Sequence, residues 1–210
     1  AAMRGLSAMP LVCLYVLWRG EAHALLRIRW PLHLFRGVIG VLMLSLFAFA
    51  IKELALADVD VTLISLSDFP LPIYDGDLEA KSGVPKIAVD LKRMIGAHHG
   101  VFIVTPEYNF SIPGGLKNAI DWLSRGKSPL KGKRVGVMGA SDGPIGTARS
   151  QYHLRQSLQS QESIVMPRPE IFVGNAGKKF DTEGNLTDDD TAQRLTKWLK
   201  AFLDWVENKP

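Results

Sequence analysis

One cysteine in 210 residues, Cys13, leaves no partner for an intramolecular disulfide and no set of thiolates for a structural zinc. On its own it reads as a small buried apolar side chain. Lysine is absent from the first fifty residues, which carry five arginines and the single acid Glu21. The formal charge of the whole chain is +4, which leaves 20 basic and 20 acidic residues beyond that segment and no bulk footprint for nucleic acid. A long apolar run is also missing. Val38 to Ile51 has 14 residues against the roughly 18 of a membrane span, so a membrane partner is not expected. No metal set emerges either: His98-His99 lacks a third ligand at metal spacing, and around Asp181, Glu183 and Asn185 the glycine, Gly184, is out of register for a calcium loop.

What is present is a length and an apolar share, 210 residues and 47% hydrophobic, that suit one domain with a real core and fall short of two. Single-domain organisation over residues 1–210 is therefore expected, with residues 1–50 anomalous in composition. Strand and helix patterns alternate through the rest. Val59 to Leu66 alternates into a strand, followed by a Pro- and Gly-marked loop from Asp68 to Leu78. Pro85 to His98 reads as a helix with Ile87, Leu91, Met94 and Ile95 on one face. Val101 to Thr105 is a buried strand, Gly114 to Ser124 a helix, Arg134 to Ala140 a further strand and Thr147 to Ser160 a helix. Ser163 to Val173 carries the last strand. Asp188 to Asn208 is a helix, with Thr187 and Asp190 as a capping pair. With a first strand near residues 28–42, five strands alternate with helices, a pattern that implies a parallel α/β sheet covered on both faces.

The densest information lies in Thr105 to Arg125, TPEYNFSIPGGLKNAIDWLSR, a loop at the carboxyl end of a buried strand that feeds an amphipathic helix. In open α/β sheets that edge is where ligands bind. Pro106-Glu107-Tyr108-Asn109, Pro113-Gly114-Gly115-Leu116-Lys117-Asn118-Ala119-Ile120-Asp121-Trp122 and Gln151-Tyr152-His153-Leu154-Arg155 together resemble the NADPH-dependent FMN reductase family, over roughly residues 51–210. The resemblance implies a flavodoxin-like sheet of order 2-1-3-4-5, FMN as cofactor, NADPH or NADH as electron donor, and a quinone, azo compound, free flavin or metal oxyanion such as chromate as acceptor. It also implies a homodimer or homotetramer with the site at a subunit boundary. A reducing cytoplasm is the expected location.

The resemblance further implies that Pro106, Glu107, Tyr108 and Asn109 border the isoalloxazine, with backbone amides near its polar edge, and that Ser141 and Gly143 in the following loop touch the ring from a second side. Glu107 has an alternative, since a carboxylate beside a reduced flavin is repelled: it can pair with Lys117 and brace the loop. Arg149, Tyr152 and Glu170 are expected at a subunit interface. His153 has no Ser or Cys nucleophile placed with it and reads as a packing residue. No catalytic side chain is expected, because hydride chemistry belongs to the flavin.

The first fifty residues depart from the family. Its phosphate-cradling loop should fall near Gly37 to Phe49, where the expected Arg, paired hydroxyls and Asn are missing. A diverged terminus and an altered reading frame that rejoins the pattern near Ile51 both account for this. Export is a third reading, with Ala48-Phe49-Ala50 as the cleavage site. A non-catalytic flavodoxin-like protein that has lost FMN is the alternative function.

Overall fold

A computed structural model describes Phe49 and residues 59–207. The expected first strand, Cys13 and all but the last residue of the expected phosphate loop lie outside the described residues.

The chain builds α1 (Gly76–Ser82), α2 (Lys86–Ala97), β1 (Gly100–Val104), α3 (Gly114–Leu123), β2 (Arg134–Ala140), α4 (Ala148–Gln159), β3 (Ile164–Val165), β4 (Phe172–Val173) and α5 (Asp189–Glu207). Short 3-10 turns occupy Leu66–Asp68 and Ala176–Lys178. β2 is the hub of the sheet. It runs parallel to β1, from Gly100 beside Arg134 to Val104 beside Met138. On its other side Arg134 and Val135 pair with β3, while Gly139 and Ala140 pair with β4, both also parallel.

Three corrections to the expected sheet follow. Four strands are present among the described residues in place of five. The segment Val59 to Leu66 is not a strand: it ends in the 3-10 turn, and no strand among the described residues lies beside it to supply a ladder. The expected continuous strand from Ser163 to Val173 is two short strands at the two ends of β2. Pro167 and Pro169 fall in the gap, and neither has an N–H to give to a ladder. What remains of the expected order is its 3-4-5 half.

The alternation of β2 assigns its side chains to two cores. Val135 and Val137 join Leu91, Ile95, Ile120, Leu123, Leu154 and Leu158 from α2, α3 and α4. Met138 and Ala140 join Leu195, Trp198, Leu199 and Phe202 from α5. Gly136 lies on the α5 face, where an added Cβ would stand 2.6 Å from the Trp198 ring, so this close approach of helix to sheet requires glycine. Trp198 and Phe202 stack beneath it at 5.6 Å. Thus both faces of the sheet are covered, as the buried pattern of the strands demands.

The helices fall where amphipathic spacing put them, with two differences. α1 starts inside the expected loop of Asp68 to Leu78 and runs on to Ser82: Asp75 caps it, its carboxylate accepting from the N–H groups of Asp77 at 2.8 Å and Leu78 at 3.3 Å. At the start of α5 the cap is Asp188, which accepts from the Thr191 N–H at 3.0 Å and from its hydroxyl. The expected Thr187 instead donates its hydroxyl to the Lys179 carbonyl at 3.2 Å. Among the described residues no helix is long and apolar enough to cross a membrane.

Candidate functional site

Because β1 and β2 are parallel neighbours, the loops at their carboxyl ends start side by side. The Thr105 N–H donates to the Met138 carbonyl at 3.0 Å, which carries the ladder one residue beyond β1. Gly139 makes room for this: an added Cβ would lie 2.3 Å from both the Thr105 carbonyl oxygen and the Thr147 hydroxyl.

After Thr105 the first loop closes into a tight turn. Tyr108 and Ser111 exchange two backbone hydrogen bonds, each 2.9 Å. Between them Asn109 and Phe110 both have positive φ, 50° and 64°. Two successive left-handed residues are the signature of a type I′ turn. Asparagine tolerates that conformation and phenylalanine seldom adopts it. The N–H groups of Asn109 and Phe110 make no hydrogen bond to the described residues.

One face of α4 holds this loop. The Glu107 carboxylate accepts from the N–H groups of Arg149 at 3.1 Å and Ser150 at 3.3 Å, and from the Arg149 guanidinium at 3.1 Å. The Ser150 hydroxyl donates to the Pro106 carbonyl at 2.8 Å, and His153 Nδ1 lies 2.9 Å from the Ser111 hydroxyl. The Arg149 guanidinium covers the Phe110 ring at 4.0 Å from its centroid. The expected Glu107–Lys117 brace is therefore corrected: Lys117 pairs within α3 with Asp121 at 2.6 Å, while Glu107 satisfies the free amides of a helix N-terminus.

The second loop is laced to the third. Ser141 N–H donates to the Val173 carbonyl at 2.9 Å, and the Ser141 carbonyl accepts from Ala176 at 3.1 Å. The Gly143 carbonyl accepts from Asn175 at 3.2 Å, and Asp142 takes the Gly177 N–H at 2.8 Å. Gly146, at φ 56°, is pressed on Val173: an added Cβ would fall 2.6 Å from its nitrogen. Gly143 differs. Among the described residues only the Ser141 hydroxyl, at 3.8 Å, comes within reach of an added Cβ, so there is room beside its α-carbon.

The matching family model, NADPH-dependent FMN reductase, covers residues 43–178, beginning before Ile51, where the sequence pattern was read to start. The chain belongs to this family. It is 43% identical over 166 residues to the quinone reductase of Escherichia coli (strain K12), covering 78% of this chain and 87% of that protein. It is 36% identical over 164 residues to the 2-hydroxy-1,4-benzoquinone reductase of Burkholderia sp., covering 77% and 87%. Among solved structures, FerB, a flavoenzyme NAD(P)H:(acceptor) oxidoreductase from Paracoccus denitrificans, is 35% identical with a TM-score of 0.67, covering 77% of this chain and 88% of that one. The fold is flavodoxin-like. The chain is an oxidoreductase of a family that uses FMN and a reduced nicotinamide dinucleotide.

The loop chemistry fits the flavin ring. The peptide N–H groups at Asn109 and Phe110, without a partner among the described residues, are donors for a polar ring edge, and the Glu107 carboxylate, occupied by α4, does not compete for them. The expected phosphate contacts fall outside the described residues, Phe49 excepted. The expected interface residues have partners within the chain. Tyr152 donates to Glu170 at 3.4 Å, and Arg168 and Arg155 pair with Glu170 at 3.0 and 3.9 Å. Sequence reasoning did not find Phe110 or Ser150. The available signal for the second was position: residues 149 and 150 lie four and three positions before 153 on α4, so both neighbour it.

Proposed function

We propose that the chain is an NAD(P)H:quinone oxidoreductase working by a ping-pong cycle. FMN, when bound, would supply the hydride chemistry between NADPH or NADH and an acceptor, and the two substrates would use one site in turn. The observation that carries this reading is the free pair of N–H groups at Asn109 and Phe110, on a turn fixed from behind by Glu107 and α4. Fixed donors aimed where negative charge builds up favour the reduced ring without reorganising. Pro106, Glu107, Tyr108 and Asn109 form the first wall, Glu107 from behind, and Ser141 and Gly143 the second. The positions of Tyr108 and Phe110, 40% and 65% exposed, leave apolar surface beside the donors for a flat acceptor.

Quinones are the favoured acceptor class, supported by the likeness to two quinone-reducing proteins. Azo compounds and metal oxyanions such as chromate are slower acceptors in this reading, and the location is cytoplasmic. Arg149, Tyr152 and Glu170 border a subunit boundary in a homodimer or homotetramer, and Tyr152, 53% exposed, supplies the contact surface.

Initial rates measured over a grid of NADPH and benzoquinone concentrations test this. Parallel double-reciprocal lines, with quinone turnover exceeding that of an azo dye or chromate, are expected. Intersecting lines would overturn the ping-pong assignment, and turnover with chromate alone would overturn the acceptor class.

A further inference from the structure

We infer that Glu107 is the positioning residue for the flavin-facing turn. Its carboxylate holds Arg149, Arg149 covers Phe110, and that chain of contacts keeps Asn109 and Phe110 left-handed with their N–H groups free. The inference rests on the reading of this turn as the rim of the FMN site.

Three observations carry it. First, the turn opposes the preference of its own sequence. A bulky aromatic at φ 64° is uncommon, and such a residue persists only where its surroundings over-determine it. Second, the surroundings do so from a single source. Arg149, Ser150 and His153 all project from the start of α4 onto Phe110, Pro106 and Ser111. The start of α4 is in turn tied to the loop through the two backbone N–H groups and the guanidinium that Glu107 binds. Third, α4 has no cap of its own. Thr147, the residue in the capping position, sits at φ 67° and makes no side-chain cap bond. Its hydroxyl accepts instead from the Gln151 amide at 3.1 Å. The cap comes from 42 positions earlier in the chain, out of the cofactor loop itself. A residue serving helix stability alone could be local. One drawn from the loop couples the order of the loop to the order of the helix.

Phe110→Gly supplies the discriminating background, because an Asn-Gly pair adopts the type I′ turn unaided. FMN would be titrated into apoprotein, read by quenching of flavin fluorescence, for the wild type and for Glu107→Ala and Glu107→Gln, each with and without Phe110→Gly. In the natural background Glu107→Ala should weaken FMN binding roughly tenfold, and Glu107→Gln, which keeps an acceptor oxygen, about threefold. In the Phe110→Gly background both losses should shrink to under about twofold, a non-additivity that marks coupled residues. The loss of urea resistance on removing the cap should be the same in both backgrounds. If both substitutions weaken FMN by equal factors with and without Phe110→Gly, Glu107 is a helix cap only and the inference is overturned. The Glu107→Gln pair decides this should the alanine variants not fold. A wild-type chain that takes up no FMN would instead overturn the functional reading, and this inference with it.

Discussion

Arg125, just past the end of α3, and Glu79 in α1 form an ion pair of 2.8 Å, and the Tyr74 hydroxyl donates to the same carboxylate at 2.9 Å. The Arg125 hydrogen bond, followed by that from Tyr74, holds the Glu79 carboxyl below the usual glutamate range, against a partial opposing effect of burial. A depressed carboxyl contributes stability above the unfolded value of about 4.3 and loses it as pH falls through the folded value. Acidification from neutrality through the glutamate range should therefore lower the urea midpoint of the wild type more than that of Glu79→Gln. Identical acid profiles for the two would show that the pair contributes nothing.

The same bond pushes the Tyr74 phenol up, with burial adding to it. A raised phenol stabilises below its unfolded value of about 10 and ceases to do so as pH rises through the folded one. Tyr74→Phe should accordingly lower stability at neutral pH, where the bond is intact, and flatten the alkaline limb, the two proteins converging as pH rises through the folded phenol value, as thermal melts from neutral to alkaline buffers would record.

Asn118 fastens the loop before α1 to α3. Its side-chain carbonyl accepts from the Tyr74 N–H at 2.8 Å, and its amide donates to the Pro72 carbonyl at 2.9 Å. Trp122 adds a third bond, its indole N–H to the same carbonyl at 2.7 Å. Asn118→Ala removes two of the three and should cost about 2 kcal/mol in urea unfolding. A cost within error of zero would mean that water replaces both bonds freely.

Gly139→Ala should be more damaging. The methyl group would press on the Thr105 carbonyl and the Thr147 hydroxyl, each 2.3 Å from its place, and so separate β1 from the turn leading into α4. Overpacking of this kind costs typically about 1–3 kcal/mol, and here the displaced atoms belong to the residue that opens the first site loop and the residue that follows the second. Stability and FMN affinity should fall together, a correlation that calorimetry and flavin titration on one preparation can check.

Asn109→Ala forces a residue without a local hydrogen-bonding side chain into φ 50°, at a cost of about 1–2 kcal/mol to the turn. His153→Ala removes one contact behind the turn, its bond to Ser111. The first substitution should weaken FMN by roughly tenfold and the second by no more than about threefold. Reversal of that order would shift the ring-binding role from the turn to the helix.

How much of this could be read in the residues alone depends on distance along the chain. The helices were legible because their apolar stripes are local: Leu91 and Ile95, Leu195 and Leu199 recur at helical spacing and are buried. The site loop was legible as a Pro- and Gly-marked segment after a buried strand. The break of the last strand was present in the sequence as Pro167 and Pro169, but an apolar run around them outweighed it. The Glu107 contact was not legible, because the carboxylate has a lysine nearby in the sequence and its arginine 42 positions away along the chain, and only the parallel pairing of β1 with β2 brings Arg149 close. The five-strand expectation rested on a ladder that local alternation in Val59 to Leu66 cannot form alone.

The most direct test is to titrate the purified full chain with FMN and then add NADPH without oxygen while the flavin absorbance is followed. The account predicts saturable binding and bleaching of the flavin band, with colour restored by benzoquinone. Failure to bind FMN, or bound flavin that NADPH leaves oxidised, would contradict it.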